Sequence, residues 1–217
     1  MEVMNVKYVV IAPCGENTDA LFIGLREFPT EKIYLICHED EIKKAEKAEK
    51  ELDKFKVPVI IKKIKGNVWE GTFKAVAEIK ELEKDKELII NVSAGGGQAG
   101  RCASCSAAFV NGLRAFEIEK NEVVLLPILK FSYYKIIQDK KMGILNILYG
   151  DKACCGSLEE LSKKTKMSLP LVSYHINGNL KSEGLKQLGL VYTTEEKGRI
   201  TVRLTTMGRL LVKGHVK

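Results

Sequence analysis

The sequence predicts an α/β protein: an open, mostly parallel, Rossmann-like sheet followed by a smaller unit of helices and one hairpin. Three observations predict it. Short apolar runs alternate with helical patterns through the first 130 or so residues, three consecutive glycines (Gly95 to Gly97) interrupt that alternation once, and pattern and charge both change after Met142. Parallel strands need crossover connections, so strand and helix taken in turn imply a parallel sheet covered by helices. At 217 residues and 45% hydrophobic content, the chain is long and apolar enough to bury a core.

"KYVVIAP" (7–13) reads as a buried strand, and in "NTDALFIGLREF" Asn17 or Thr18 caps a helix with apolar residues at helical spacing. "KIYLICH" (32–38) is the second strand. The charged helix "EDEIKKAEKAEKELDKFK" follows, with Ile42, Ala45, Ala48, Leu52 and Phe55 tracing one apolar stripe. "VPVIIKKI" is a third strand, "VWEGTFKAVAEIKELEKD" a third helix and "ELIINVS" a fourth strand. "GGGQAGRCASCSAAFVNGL" supplies a turn and a fourth helix, and "AFEIEKNEVVLLPI" a last strand or pair. This ligand-binding part is expected over 1–130. A connecting helix is expected over 131–141, because "FSYYKIIQDKK" lacks the composition of a loose linker.

From 142 to 217 the pattern is helix, helix, turn, helix, hairpin. "MGILNILYG" reads as a short apolar helix. "SLEELSKKTK" opens with Ser157 as cap and Glu160 three residues on, a capping-box arrangement. After a turn through Met167, "SLPLVSYHINGNLKSEGL" starts with Ser168 as cap and Pro170 in the first turn, where proline is tolerated. "GLVYTTEEKGRITVRLT" has two β-rich runs around a polar tip, a hairpin signal, and "TTMGRLLVKG" closes the chain as a helix. This is the grammar of a winged helix-turn-helix.

Charge separates the two parts. Met1 to Met142 holds 23 basic and 22 acidic residues; Gly143 to Lys217 holds 12 against 6, so the net +7 sits mostly in the C-terminal third. Such a surface suits a polyanionic partner, double-stranded DNA for this pattern. The opening "MEVMNVKYVVIAPCGEN" has too short an apolar run for a signal peptide, and no apolar stretch approaches the ~20 residues that span a bilayer. A cytoplasmic protein without membrane partner is expected. Its six cysteines read as thiols rather than a disulfide framework.

Ligands of open α/β sheets bind beyond the carboxyl ends of the strands, where strand order reverses. Two loops there are rich in small or polar residues: "PCGENTD" after the first strand and "SAGGGQAG" after the fourth. If those strands are neighbours, the loops flank one crevice. Amides at a helix start favour an anion, and glycines let it approach, so a phosphate or nucleotide is the expected ligand. Gly95, Gly97 and Gly100 fit G-x-G-x-x-G, but after the fourth strand and not the first, so no dinucleotide cofactor is expected.

A Rossmann-like domain with a glycine-rich loop after its fourth strand, joined to a winged helix, resembles the archaeal CRISPR-associated regulators that carry a CARF domain. After that strand such proteins usually have Asn, an apolar residue, Thr or Ser, Gly, Gly, Thr, Lys. Asn91, Val92, Ser93 and Gly95 match, Ala94 replaces the first glycine, and Gly96 and Gly97 stand for Thr and Lys. The resemblance implies a homodimer binding a cyclic oligoadenylate, cyclic tetra-adenylate above all, across its two-fold axis, where a symmetric ligand meets the same loops twice. The absent lysine would supply a positive charge beside the phosphates; Arg101 or backbone amides would replace it. Expected ligand contacts are Cys14, Gly15, Glu16, Asn17, Thr18, Ser93, Gly95, Gly96, Gly97, Gln98 and Arg101, with Glu16 on a ribose hydroxyl.

In a helix-turn-helix the second helix meets base edges while neighbouring cations hold phosphates. Ser168, Ser173, Tyr174, His175 and Asn177 are expected to face the groove, and Leu169, Val172, Ile176 and Leu180 the interior. Lys163, Lys164 and Lys166 would lie by the backbone, and Lys197, Arg199 and Arg203 would arm the wing. Cys102 and Cys105 are expected to pack a small-residue helix against the sheet. Neither catalytic nor metal residues are expected. Two alternatives stay open: a phosphoryl-transfer enzyme such as a cyclic-oligoadenylate ring nuclease, for which the N-terminal part has only His38 and no loop lysine, and a thiol or metal sensor using Cys102, Cys105, Cys154 and Cys155.

Overall fold

The computed structural model describes residues 6–127, 136–151, 157–180, 182–196 and 199–214. They form two units, Met1–Phe131 and Ser132–Lys217.

The first unit alternates strands and helices: β1 (Tyr8–Pro13), α1 (Asp19–Glu27), β2 (Thr30–His38), α2 (Ile42–Asp53), β3 (Val59–Ile64), α3 (Val68–Leu82), β4 (Glu87–Asn91), α4 (Gly97–Asn111), β5 (Arg114–Glu119) and β6 (Glu122–Leu125). One six-stranded sheet results, in the order β3-β2-β1-β4-β5-β6. The first five strands are parallel, and β6 returns antiparallel through a tight hairpin in which Lys120 and Asn121 both have positive φ. Val9, Val10, Ile11 and Ala12 of β1 are buried in succession, the unbroken apolar run of a strand covered on both faces. On α2, Ala45, Ala48 and Leu52 pack inward, whereas Phe55 lies beyond the helix end and is 62% exposed. Phe22 of α1 meets its ring at 5.2 Å.

The strand order places the switch point between β1 and β4, whose chains run on to opposite sides of the sheet. One buried side chain braces the loops there. Asn91, at the end of β4, donates from Nδ2 to Ala20 O of α1 (2.8 Å) and accepts at Oδ1 from the Ser93 amide (3.0 Å).

The second unit holds α5 (Asp139–Gly150), α6 (Leu158–Thr165), α7 (Leu169–Asn177), β7 (Gly178–Asn179), β8 (Ser182–Glu183), β9 (Val191–Glu196), β10 (Arg199–Leu204) and α8 (Thr206–Val212). Helix, helix, turn, helix and an antiparallel hairpin make a winged helix-turn-helix. Ile144, Leu145, Leu161, Val172, Ile176, Leu190, Val202 and Leu211 form its core. Ser157 caps α6 by accepting from the Glu160 amide (3.2 Å), as its sequence predicts. The two-residue pairing of β7 with β8 has no sequence signal; it is pinned by Lys141 of α5, buried at 3% exposure, whose Nζ donates to Glu183 O at 2.5 Å. Of the expected connecting helix, 131–135 lie outside the described residues, and Asp139 to Lys141 form the first turn of α5.

Candidate functional site

At the carboxyl ends of β1 and β4 the first unit has a cleft of about 720 Å³. Eight of the expected ligand residues line it: Gly15, Glu16 and Asn17 from the β1–α1 loop, Ser93, Gly95 and Gly96 from the β4–α4 loop, and Gly97 and Gln98 at the start of α4; Arg101 makes a ninth, one turn further on. The adjacency of β1 and β4 brings the two loops together, and they touch backbone to backbone. A Cβ added to Gly95 would stand 2.2 Å from Gly15 Cα, and one added to Gly15 would stand 2.4 Å from Gly95 Cα. What approaches this part of the glycine run is therefore the chain's own first loop. Gly97 differs: its φ of +59° starts the helix, and nothing lies within 4 Å of where its Cβ would be. The first helical bond of α4 runs from the Gly100 amide to Gly96 O (2.9 Å), so the amides of Gly97, Gln98 and Ala99 precede it at the exposed helix start. Asn17 ties the loops once more, donating from Nδ2 to Ser93 O (3.2 Å), and Ser93 Oγ accepts from the Ile118 amide (2.8 Å).

Two expected ligand residues are elsewhere. Cys14 does not line the cleft: it is 3% exposed, its amide extends the ladder to Ile36 O, and its thiol is hydrogen-bonded to that of Cys37 on β2. Burial, and then Cys37, push the Cys14 thiol up to about 12. Thr18 is also absent from the lining and serves α1, its carbonyl accepting from the Leu21 amide (2.9 Å).

Sequence reading missed Glu41, Lys44, Val92, Cys102, Cys105, Glu117 and Leu126, which complete the lining. Cys102 is exposed and Cys105 half-buried, so the expectation that they pack α4 against the sheet is wrong. Ala103, Ala107 and Ala108 do that, each at 0% exposure. The signal was present: Gln98, Arg101, Cys102 and Cys105 recur at helical spacing along one face. Burial raises the Cys105 thiol above its ordinary range, with Cys102 and Glu117 adding to the shift. Lys44 had no such signal, being one of several lysines along α2. Its Nζ lies 2.9 Å from Glu41 Oε1 and 3.1 Å from Glu16 Oε1. Among the described residues no group of three or more His, Cys, Asp or Glu could hold a metal ion.

On the winged helix, α7 exposes Ser168 at its start and Tyr174 and Asn177 further along; Ser173 is half-buried and accepts from Asn177 Nδ2 (3.2 Å). His175 does not face a groove. It is 4% exposed in the core, and neither ring nitrogen has a hydrogen-bond partner among the described residues. Burial holds its pKa below the ordinary value, with Lys141 and Lys140 of α5 acting in the same direction. Leu169 and Leu180, expected inside, are exposed at 38% and 107%: Leu169 is the first residue of α7, and Leu180 lies beyond its end at Asn177, where the stripe does not continue. Lys163, Lys164 and Lys166 are exposed around the end of α6, where Lys164 pairs with Asp151. Arg199 and Arg203 are exposed on β10; Lys197, Cys154 and Cys155 lie outside the described residues. No helix among those described is long and apolar enough to cross a membrane.

Comparison with known proteins gives a family but little finer detail. No curated protein matches the chain. Among solved structures, protein VC1899 from Vibrio cholerae is 12% identical over 95% of this chain and 64% of its own, with a TM-score of 0.49. Can2 from Sulfobacillus thermosulfidooxidans, solved in complex with cyclic tetra-adenylate, is 11% identical over 96% of this chain and 64% of its own, with a TM-score of 0.46. MepR, a transcription regulator of the Staphylococcus aureus multidrug efflux pump MepA, is 22% identical over 38% of this chain and 57% of its own, with a TM-score of 0.33. The chain thus spans less than two thirds of the length of each. The family described as HFX_2341_N:-like, N-terminal, matches residues 8–122, just over half of the sequence and nearly all of the α/β unit that carries the cleft, and the chain belongs to it.

Proposed function

We propose that the protein is a ligand-responsive, DNA-binding transcription regulator of the CARF type. In this reading its α/β unit binds a cyclic oligoadenylate, cyclic tetra-adenylate first, between two copies of the chain, and its winged helix binds double-stranded DNA. One observation carries the reading: two polar loops meet at the β1/β4 switch point and leave the first amides of α4 open beside a cleft of about 720 Å³. Such amides carry partial positive charge and favour a phosphate without any cationic side chain. Glu16 and Glu117 in the same lining give ribose hydroxyls an acceptor, which suits a nucleotide better than an inorganic anion.

Ligand seated on a two-fold axis would couple to DNA by changing the placement of two winged helices, and with it their fit to half-sites about one DNA turn apart. The test is fluorescence anisotropy of the full-length protein on promoter DNA with and without cyclic tetra-adenylate. The expected result is a shift in DNA affinity; equal affinities would remove the ligand from the account. We read the site as a binding site rather than an enzyme's. Among the described residues its lining offers glutamates and cysteines but no histidine. Recovery of linear oligoadenylate after incubation would reverse that reading.

A further inference from the structure

The glycine loop carries no lysine of its own, so any side-chain charge that adds to the α4 amides at a phosphate comes from another part of the cleft. Among the described residues the cleft lining contains two cations, Arg101 of α4 and Lys44 of α2, facing three carboxylates, Glu16, Glu41 and Glu117. With every group ionised these carboxylates outnumber the cations, and the repulsion they exert on an anion beside the amides is relieved when a cation turns to it. Arg101 projects from the second turn of α4, beside the amides of the helix start.

Lys44 is placed differently. Its ammonium bridges Glu41, just ahead of α2, and Glu16, on the β1–α1 loop, so one cation ties the loop to the helix along the cleft wall. All three groups keep contact with water, Lys44 at 41%, Glu16 at 85% and Glu41 at 32% side-chain exposure. Ion pairs in that setting are weak and exchange readily. A lysine head on a flexible four-carbon stem can turn from one acceptor to another with its charge intact. The two carboxylates raise the Lys44 pKa, Glu41 first, so it is charged throughout the neutral range.

We infer that Lys44 is the phosphate counter-charge of this cleft, shared with Glu16 and Glu41 and handed to a ligand phosphate on binding, which frees Glu16 to accept from a ribose hydroxyl. The inference rests on the reading of the cleft as a nucleotide site. It makes Glu41 a competitor of the ligand and Lys44 its partner, so their removal acts in opposite directions. A lysine that merely fastened the loop would give both changes the same sign.

Isothermal titration of cyclic tetra-adenylate into the full-length wild type, Lys44→Ala, Lys44→Arg and Glu41→Gln tests this, with thermal melts confirming that each variant folds. Lys44→Ala should weaken binding about tenfold, the loss of one charge-assisted hydrogen bond. Lys44→Arg should keep most of the affinity, and Glu41→Gln should tighten binding about twofold, as a weak competing ion pair is removed. If the wild type binds and Lys44→Ala binds equally well, the inference falls while the nucleotide site stands. The same holds if Lys44→Ala and Glu41→Gln both weaken binding. A wild type without affinity for cyclic tetra-adenylate removes the site and this inference with it.

Discussion

At the scale of single residues, the glycines divide into two classes that their letters do not distinguish. Gly15 and Gly95 are small because each occupies the space where the other's Cβ would stand. Gly97 is a glycine for its positive φ alone. Gly95→Ala must therefore push two loops apart, and should cost about 3 kcal/mol, the upper end of overpacking penalties. Gly97→Ala should cost ~1 kcal/mol, the left-handed backbone penalty of an L-residue. Urea denaturation of the two variants checks the order, and a Gly97→Ala as damaging as Gly95→Ala would refute the assignment. The cysteines divide in the same manner. Cys102 is exposed on the cleft wall, while Cys14 and Cys37 are buried together with raised pKa values. Iodoacetamide at pH 8 should modify Cys102 in the native protein and spare Cys14 and Cys37, and cyclic tetra-adenylate should slow the Cys102 reaction. Mass spectrometry of tryptic peptides reads both outcomes.

At the scale of elements, α7 shows where periodicity misleads. Its apolar stripe continues in the sequence to Leu180, yet the helix stops at Asn177 and the chain turns into β7. His175, a polar letter beside Val172 and Ile176, rotates into the core with them. Its charged form is disfavoured there because burial opposes the charge and Lys141 and Lys140 repel it. A depressed folded-state pKa means that the unfolded chain binds the proton more tightly. The stability associated with neutral His175 is therefore complete above about pH 6.5, the ordinary histidine value, and declines as pH falls from there through the folded-state pKa. Thermal melts at pH 7.5 and pH 5.5 should show a larger acid-side drop for the wild type than for His175→Leu. Equal drops would mean that His175 takes up its proton without penalty.

At the scale of the whole molecule, the charge asymmetry and the two units coincide. The C-terminal third carries most of the net +7, and Lys163, Lys166, Arg199 and Arg203 are exposed on the winged helix. DNA affinity should fall steeply between 50 and 200 mM salt as phosphate contacts release counterions. Lys166→Ala should lower the log–log slope by about one while weakening all sequences alike. A flat salt response in anisotropy titrations would leave the winged helix without its DNA. The order of the helices and longer strands, the sheet class and the wing hairpin were readable from local pattern, since period, caps and turn residues act within a few positions of one another; the β7–β8 pair was not. The two loops of the cleft were readable too, because small and polar residues cluster at those two strand ends, although the reason Gly15 and Gly95 are small was not. Tertiary structure alone decided the rest: that β1 and β4 are neighbours, that Lys44 and Glu117 reach the same cleft from α2 and β5, that Cys14 turns to Cys37, and that His175 is inside. Each of these depends on which distant segments share a boundary, and burial and pairing across the fold are set by that contact rather than by any neighbour in sequence.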